Sequence, residues 1–268
     1  MSRHSNNASD RKHSRIPAAY HHGRQQRHWD ARAALNFMLG GAGSGLIVFA
    51  AIVELDAPWA VALALMLIAG GLGAVWLEIG RKLRALHVLF NPFTSWMTRE
   101  AFVAVLLFPL GLGSIFVPQA LPAAAVAALA FLYCQARILR AAKGIPAWRA
   151  PEVVPLVVAT GLAEGAGLAL FFSQETLLIV LLGLAVLLRA FAWARYRAAV
   201  TVGNLLPALY GTLPIVVVAL ASLYAGEAAM LAGIAAVASG WWLKFSLVTR
   251  AAPAQGFTLP RVPVRGAR

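Results

Sequence analysis

What this 268-residue chain has least of is charge: only 12% of its residues are Asp, Glu, Lys or Arg, whereas 60% are hydrophobic. A soluble domain carries roughly a quarter charged residues, and a chain this poor in them lacks the polar surface to cover a core. Cysteine is nearly absent as well. The single Cys134 lies inside an apolar run, so no internal disulfide can form, and a structural zinc site or iron–sulfur cluster has no ligand set. Histidine is missing from every long apolar stretch; all but His87 fall between positions 4 and 28. That argues against a haem held by two transmembrane histidines. Residues 1–32 have no apolar core of the kind a cleavable signal needs. Acids are scarcer than bases, 10 against 23, which leaves a net charge of +13 to be explained.

What the chain does have is long apolar runs. A bilayer core of about 30 Å needs about 20 such residues in a helix. Eight runs qualify, at about 33–54, 58–77, 100–117, 121–140, 153–172, 175–194, 201–223 and 227–248. Asp56-Ala57-Pro58, the stretch from Pro118 to Pro122, Ser173-Gln174 and Ala225-Gly226 make short turns that pair the runs as hairpins. The longer connections are 78–99, 141–152 and 195–200.

The basic residues sort onto one side of this scheme. They occupy the N-terminal tail from Arg3 to Arg32, then Arg81, Lys82, Arg84 and Arg99, then Arg137, Arg140, Lys143 and Arg149. Arg189, Arg195 and Arg197 follow, and the last group runs from Lys244 to Arg268. The turns on the other side hold only Glu54, Asp56, Glu175 and Glu227. The positive-inside rule then puts both termini and every long connection in the cytoplasm, which an even number of helices satisfies. The expected fold is all-α: a polytopic transmembrane bundle of eight helices over 29–250. A disordered basic cytoplasmic tail at 1–28 and a cytoplasmic C-terminal tail at 251–268 flank it. An echo between Gly43-Ser44-Gly45-Leu46 and Gly165-Ala166-Gly167-Leu168 suggests two four-helix halves. The charge excess is a record of topology and not a nucleic-acid surface.

Few residues inside this scheme can carry chemistry. Glu164 is the one acid well inside an apolar run; it reads either as a proton-path residue or as a hydrogen-bonded group joining helices. Asn36 lies one turn into the first run with Gly40 and Gly43 on its face. Its amide can donate to a carbonyl ligand or to a neighbouring helix. Asn204 and Tyr210, in a run interrupted by Pro207 and Pro214, receive no function. The segment 78–100 is the most polar: Glu78, Arg81, Lys82, Arg84, His87, Asn91, Trp96, Arg99 and Glu100. Carboxylates and an imidazole at headgroup level, beside an apolar slot, can handle the protons of a quinone. The same residues can equally pair with one another or meet lipid phosphates.

At this segment the sequence resembles a known family. Leu77-Glu78-Ile79-Gly80-Arg81-Lys82-Leu83-Arg84, Asn91-Pro92 and Ser95-Trp96-Met97-Thr98-Arg99-Glu100 are similar to the signature of the NrfD/polysulfide-reductase membrane subunits, which include dimethyl sulfoxide reductase anchors. The glycine-rich Asn36 to Gly45 and Ile145-Pro146-Ala147-Trp148-Arg149-Ala150-Pro151 add to the likeness. Glu78 stands where the family often has His or Asp, and Lys82 replaces its usual Pro. Trp29 to Ala34 and Lys244 to Arg250 look most like membrane subunits of phenylacetyl-CoA:acceptor oxidoreductases.

The resemblance implies a haem-free anchor without an iron–sulfur cluster of its own. Such an anchor sits in a bacterial cytoplasmic membrane and exchanges electrons with menaquinone or ubiquinone. It implies two partners on the cytoplasmic face, a four-cluster ferredoxin-like iron–sulfur subunit and a molybdopterin catalytic subunit. The implied quinone-site residues are Asn36, Glu78, Arg81, His87, Trp96, Arg99 and Glu100, with Glu164 on a proton path. The alternative is a small secondary transporter with Glu164 as its coupling residue.

Overall fold

The computed structural model describes residues 29–78, 89–90, 92–200 and 227–251, and among them every regular element is helical. Helix α1 (Ala31–Ile52) starts where the Asp30 side chain accepts a hydrogen bond from the Arg32 amide at 2.7 Å. A tight turn with Glu54 at φ 47° returns the chain into α2 (Pro58–Glu78), which opens on proline, the residue best suited to a first helical turn. Helix α3 (Trp96–Phe116) begins where Ser95 Oγ accepts from the Thr98 amide, four residues earlier than the apolar run alone suggests. A 3₁₀ turn at Pro118–Ala120 leads into α4 (Leu121–Ala141). The short α5 (Pro146–Arg149) precedes α6 (Val153–Ala169), α7 (Thr176–Ala199) and α8 (Glu227–Thr249).

Six of the described helices are long and apolar enough to cross a membrane, and α6 is a shorter apolar helix. The run expected at 201–223, with Asn204 and Tyr210, lies outside the described residues, as do residues 1–28 and 252–268 of the two tails. One expected connection is corrected. Most of 195–200 is the last turn of α7, so Arg195 and Arg197 sit on a helix that continues to the Val200 cap. Alanine and arginine are strong helix formers, and nothing in Ala194 to Ala199 breaks the ladder.

Helix α1 is the centre of the bundle, buried along most of its length and packed against α2, α4, α6 and α8. Small residues make this possible. A Cβ placed on Gly45 or Gly165 would run into the other helix's backbone, and Gly167 of α6 meets Gly233 of α8 in the same way. Lipid tails are as apolar as leucine, so helices in a membrane associate through such close packing and not through hydrophobic exclusion. The two stretches whose likeness suggests a duplication therefore carry the α1–α6 contact.

At one end of the bundle, polar side chains tie the helix ends together. Trp148 Nε1 of α5 donates to the Leu247 carbonyl of α8 at 2.9 Å, and the Tyr196 hydroxyl of α7 donates to the Ala147 carbonyl at 2.9 Å. Trp29 stacks on Phe37 of α1 and leans on Trp148, with ring centroids 6.0 and 5.0 Å apart. We call this end the α5 face. Around the bundle, α2, α3 and α7 expose Trp59, Met66, Phe102, Leu106, Leu188 and Phe191.

Candidate functional site

Two polar clusters are buried inside the bundle. The first joins three helices. Asn36 of α1, Glu100 of α3 and Gln135 of α4 are 6%, 6% and 0% exposed. Gln135 Nε2 donates to the Asn36 main-chain carbonyl at 3.0 Å, and the Glu100 carboxyl faces both amide side chains. Glycines make the room: a Cβ on Gly40 would collide with the Gln135 amide, and one on Gly71 of α2 would stand 3.1 Å from Asn36 Oδ1. Asn36 Oδ1, Glu100 Oε1 and Gln135 Oε1 have no hydrogen-bond partner among the described residues. Three buried acceptors in one place call for donors, because an unsatisfied buried oxygen is costly. A protonated Glu100 supplies one such donor; a ligand hydroxyl supplies others.

Beside this cluster lies a stack at the helix ends. The Arg99 and Arg137 guanidiniums each sit 4.2 Å from the centre of the Trp96 ring, and Tyr133 meets that ring edge-on at 5.9 Å. Arg137 Nη1 donates to the Tyr133 hydroxyl at 2.7 Å. Arg99 donates to the Pro92 and Phe93 carbonyls at 2.9 and 2.6 Å, pinning the approach to α3. Cys134 lies within electrostatic reach of Glu100, Arg99 and Arg137, and is buried.

The second cluster is ionic. Lys244 Nζ of α8 donates to Glu164 Oε2 of α6 at 2.6 Å, and the two side chains are 1% and 0% exposed. Arg189 of α7, 1% exposed, is within electrostatic reach of both. It donates to the Ala236 carbonyl at 3.2 Å and to Ser239 Oγ at 2.9 Å. Gly41 and Gly240 again leave the space: a Cβ on the first would meet Lys244 Nζ, and one on the second Glu164 Oε1.

Neither a protein-family model nor a curated protein matches this chain.

Of the residues expected at a quinone site, the structure brings Asn36 and Glu100 together. Trp96 and Arg99 are neighbours, but their polar and π surfaces engage Arg137, Tyr133 and the 92–93 carbonyls. Glu78 closes α2 and its side chain lies outside the described residues; Arg81 and His87 also lie outside them. Gln135 was not anticipated. Its signal is a lone amide in an alanine- and leucine-rich helix, easily lost beside Arg137 and Arg140.

Glu164, open by sequence between a proton path and a hydrogen bond joining helices, is paired with Lys244. One further expectation is corrected. Arg189 and Lys244, grouped by sequence with the cytoplasmic charges, are buried inside the bundle. Arg189 stands about 15 Å short of the end of α7. Lys244 is nearer its helix end, but helical side chains point back toward the N-terminus, which carries its ammonium inward. A buried charge survives only where it is paired and hydrogen-bonded, and this pairing spans positions far apart in the chain. Among the described residues no group of three or more His, Cys, Asp or Glu is placed to hold a metal ion.

Proposed function

We propose that this protein is the haem-free membrane anchor of a molybdopterin/iron–sulfur oxidoreductase, of the NrfD/polysulfide-reductase type, and that it binds quinone at the Asn36–Glu100–Gln135 cluster. The observation that carries the reading is that cluster: one carboxyl and two amides, buried together, with three oxygens unanswered. A quinol bound there supplies two electrons and two protons. The Asn36 and Gln135 oxygens orient the ring by accepting from its hydroxyls. The ionised Glu100 carboxylate would accept one proton and the second would leave to water at the α5 face, while the two electrons would pass to the iron–sulfur partner.

In this reading the chain crosses a bacterial cytoplasmic membrane eight times with both termini inside. The α5 face is then cytoplasmic, and the ferredoxin-like and molybdopterin partners dock there. In this reading Glu78, Arg81 and His87, whose side chains lie outside the described residues, also belong to the quinone site. Glu100→Gln is expected to lower quinol-dependent turnover of the complex roughly 100-fold, while dye-linked activity of the soluble partners persists. Equal loss of both activities, or of neither, overturns the quinone site.

The buried Glu164–Lys244 pair favours a second reading, a secondary transporter with Glu164 as coupling residue. Uptake by the purified chain in liposomes, abolished by Glu164→Gln, is its test.

A further inference from the structure

The two clusters meet at neighbouring residues of α1. Gln135 Nε2 occupies the place where a Gly40 side chain would begin, and Lys244 Nζ the place where a Gly41 side chain would begin. Consecutive Cα atoms are about 3.8 Å apart. The amide of the first cluster and the ammonium of the second thus rest on bare backbone one residue apart. Glu164 Oε2 is 3.6 Å from the Gly41 position, and Ser44, one turn on, is fully buried with its hydroxyl unpartnered among the described residues. Both clusters hold buried oxygens with no partner among the described residues, at Asn36, Glu100 and Gln135 in the first and at Glu164 Oε1 in the second.

The ionic cluster also has an odd charge. Glu164 carries one negative charge against the two positive charges of Lys244 and Arg189 when all three are ionised. Among the described residues, the charged side chains within electrostatic reach of Lys244 are Glu164 and Arg189, and α1 meets it at Gly41. An arginine keeps its proton, whereas a buried lysine gives one up readily. The surplus proton of the cluster therefore belongs to the Lys244–Glu164 pair.

From this juxtaposition we infer that Lys244, held by Glu164, is a proton store that exchanges one proton with Glu100 across the bare α1 backbone at Gly40 and Gly41. The step is a proton transfer alone: the Lys244 ammonium and the Glu100 carboxylate become an amine and a carboxylic acid, with no change in total charge. It rests on the quinone reading: quinol oxidation leaves on Glu100 a proton that the Lys244 amine takes up, and quinone reduction draws the same proton back. Arg189 positions the pair and takes no proton. Lys244 is the new participant, and the glycines are what keep the passage open.

The test is infrared difference spectroscopy on the full chain in lipid nanodiscs with decylubiquinone, reduced at an electrode. The spectrum is expected to contain quinone bands and a lysine band that shifts with ¹⁵N-lysine. The double variant Glu164→Gln/Lys244→Met keeps the net charge of the cluster. It is expected to lose the lysine band and retain the quinone bands. Gly41→Ala displaces only the flexible end of Lys244 and is expected to slow the lysine signal by about tenfold or more. Quinone bands with no lysine band, or a lysine band that survives the double variant, overturn the store and leave the quinone site standing. Absence of quinone bands overturns both.

Discussion

The two buried clusters of this bundle lean on adjacent glycines and are built on opposite plans. Around Glu164, each charge is answered from within: by Lys244, by Arg189, and through Arg189 by Ser239 and a carbonyl. Around Glu100, the groups are two amides and a carboxyl, and an oxygen of each is left unanswered. An ionic set whose charges are paired from within can hold helices together without any ligand, even with Glu164 Oε1 lacking a hydrogen-bond partner among the described residues. A set of unanswered acceptors gains from one. The difference separates a structural contribution from a binding one, and it can be tested on each side.

The largest effect is expected from Lys244→Met alone. Removing one partner of a buried pair leaves the other uncompensated, at a cost of about 3–5 kcal/mol. A thermal-unfolding scan in detergent is expected to show a pronounced drop in Tm for Lys244→Met. Most of that stability is expected to return in the double variant Glu164→Gln/Lys244→Met. A single variant as stable as the parent would show that the pair does not hold the bundle.

Gly165→Val comes next. It drives a side chain into the Gly45 backbone, and overpacking of this kind costs roughly 1–3 kcal/mol. Loss of folded protein from solubilised membranes, followed by size-exclusion chromatography, checks it. Gly183, which has open space beside it, is the control: Gly183→Val is expected to be tolerated.

Trp148→Phe keeps a smaller aromatic ring and removes the donor to Leu247, a hydrogen bond worth about 1 kcal/mol. It is expected to loosen the α5 face, read as faster amide exchange at the end of α8, while the ionic cluster stays intact. The smallest effect is expected from Arg137→Gln. It removes one of two cations from the Trp96 ring, worth about 0.5–1 kcal/mol at an exposed site. Glu100 stays buried, so quinone binding is expected to change by less than threefold. Protection of Cys134 from a small maleimide by decylubiquinone provides the measurement. A larger change would move the Trp96 stack from the rim into the binding site.

Much of the fold was legible because hydrophobic length and turn chemistry are local. Asp56-Ala57-Pro58 and the prolines around 118–122 mark hairpins wherever the neighbouring runs lie. Helix ends were less legible: Ser95 begins α3 and the alanines after Phe191 prolong α7, both decided by capping and propensity more than by hydropathy. For the site, Asn36 and Glu100 could be named, since polar residues within apolar runs stand out. Gln135 escaped because one amide has no pattern until two other helices surround it.

Arg189 and Lys244 show the limit most clearly. Their position near the ends of apolar runs made them look like topology markers. Only the packing of α6, α7 and α8 reveals that Glu164 holds them inside. The grouping of the remaining basic residues is unaffected, because it rests on residues at run ends and in connections.

The sequence by itself determined that this is an all-helical chain built to cross a membrane and rich in small residues where helices must touch. These properties follow from composition and period, which any stretch carries with it. Tertiary structure decided which buried polar groups meet, which charges cancel, and which oxygens stay unanswered. Those outcomes depend on distances between residues up to 99 positions apart, and such distances exist only once the helices have packed.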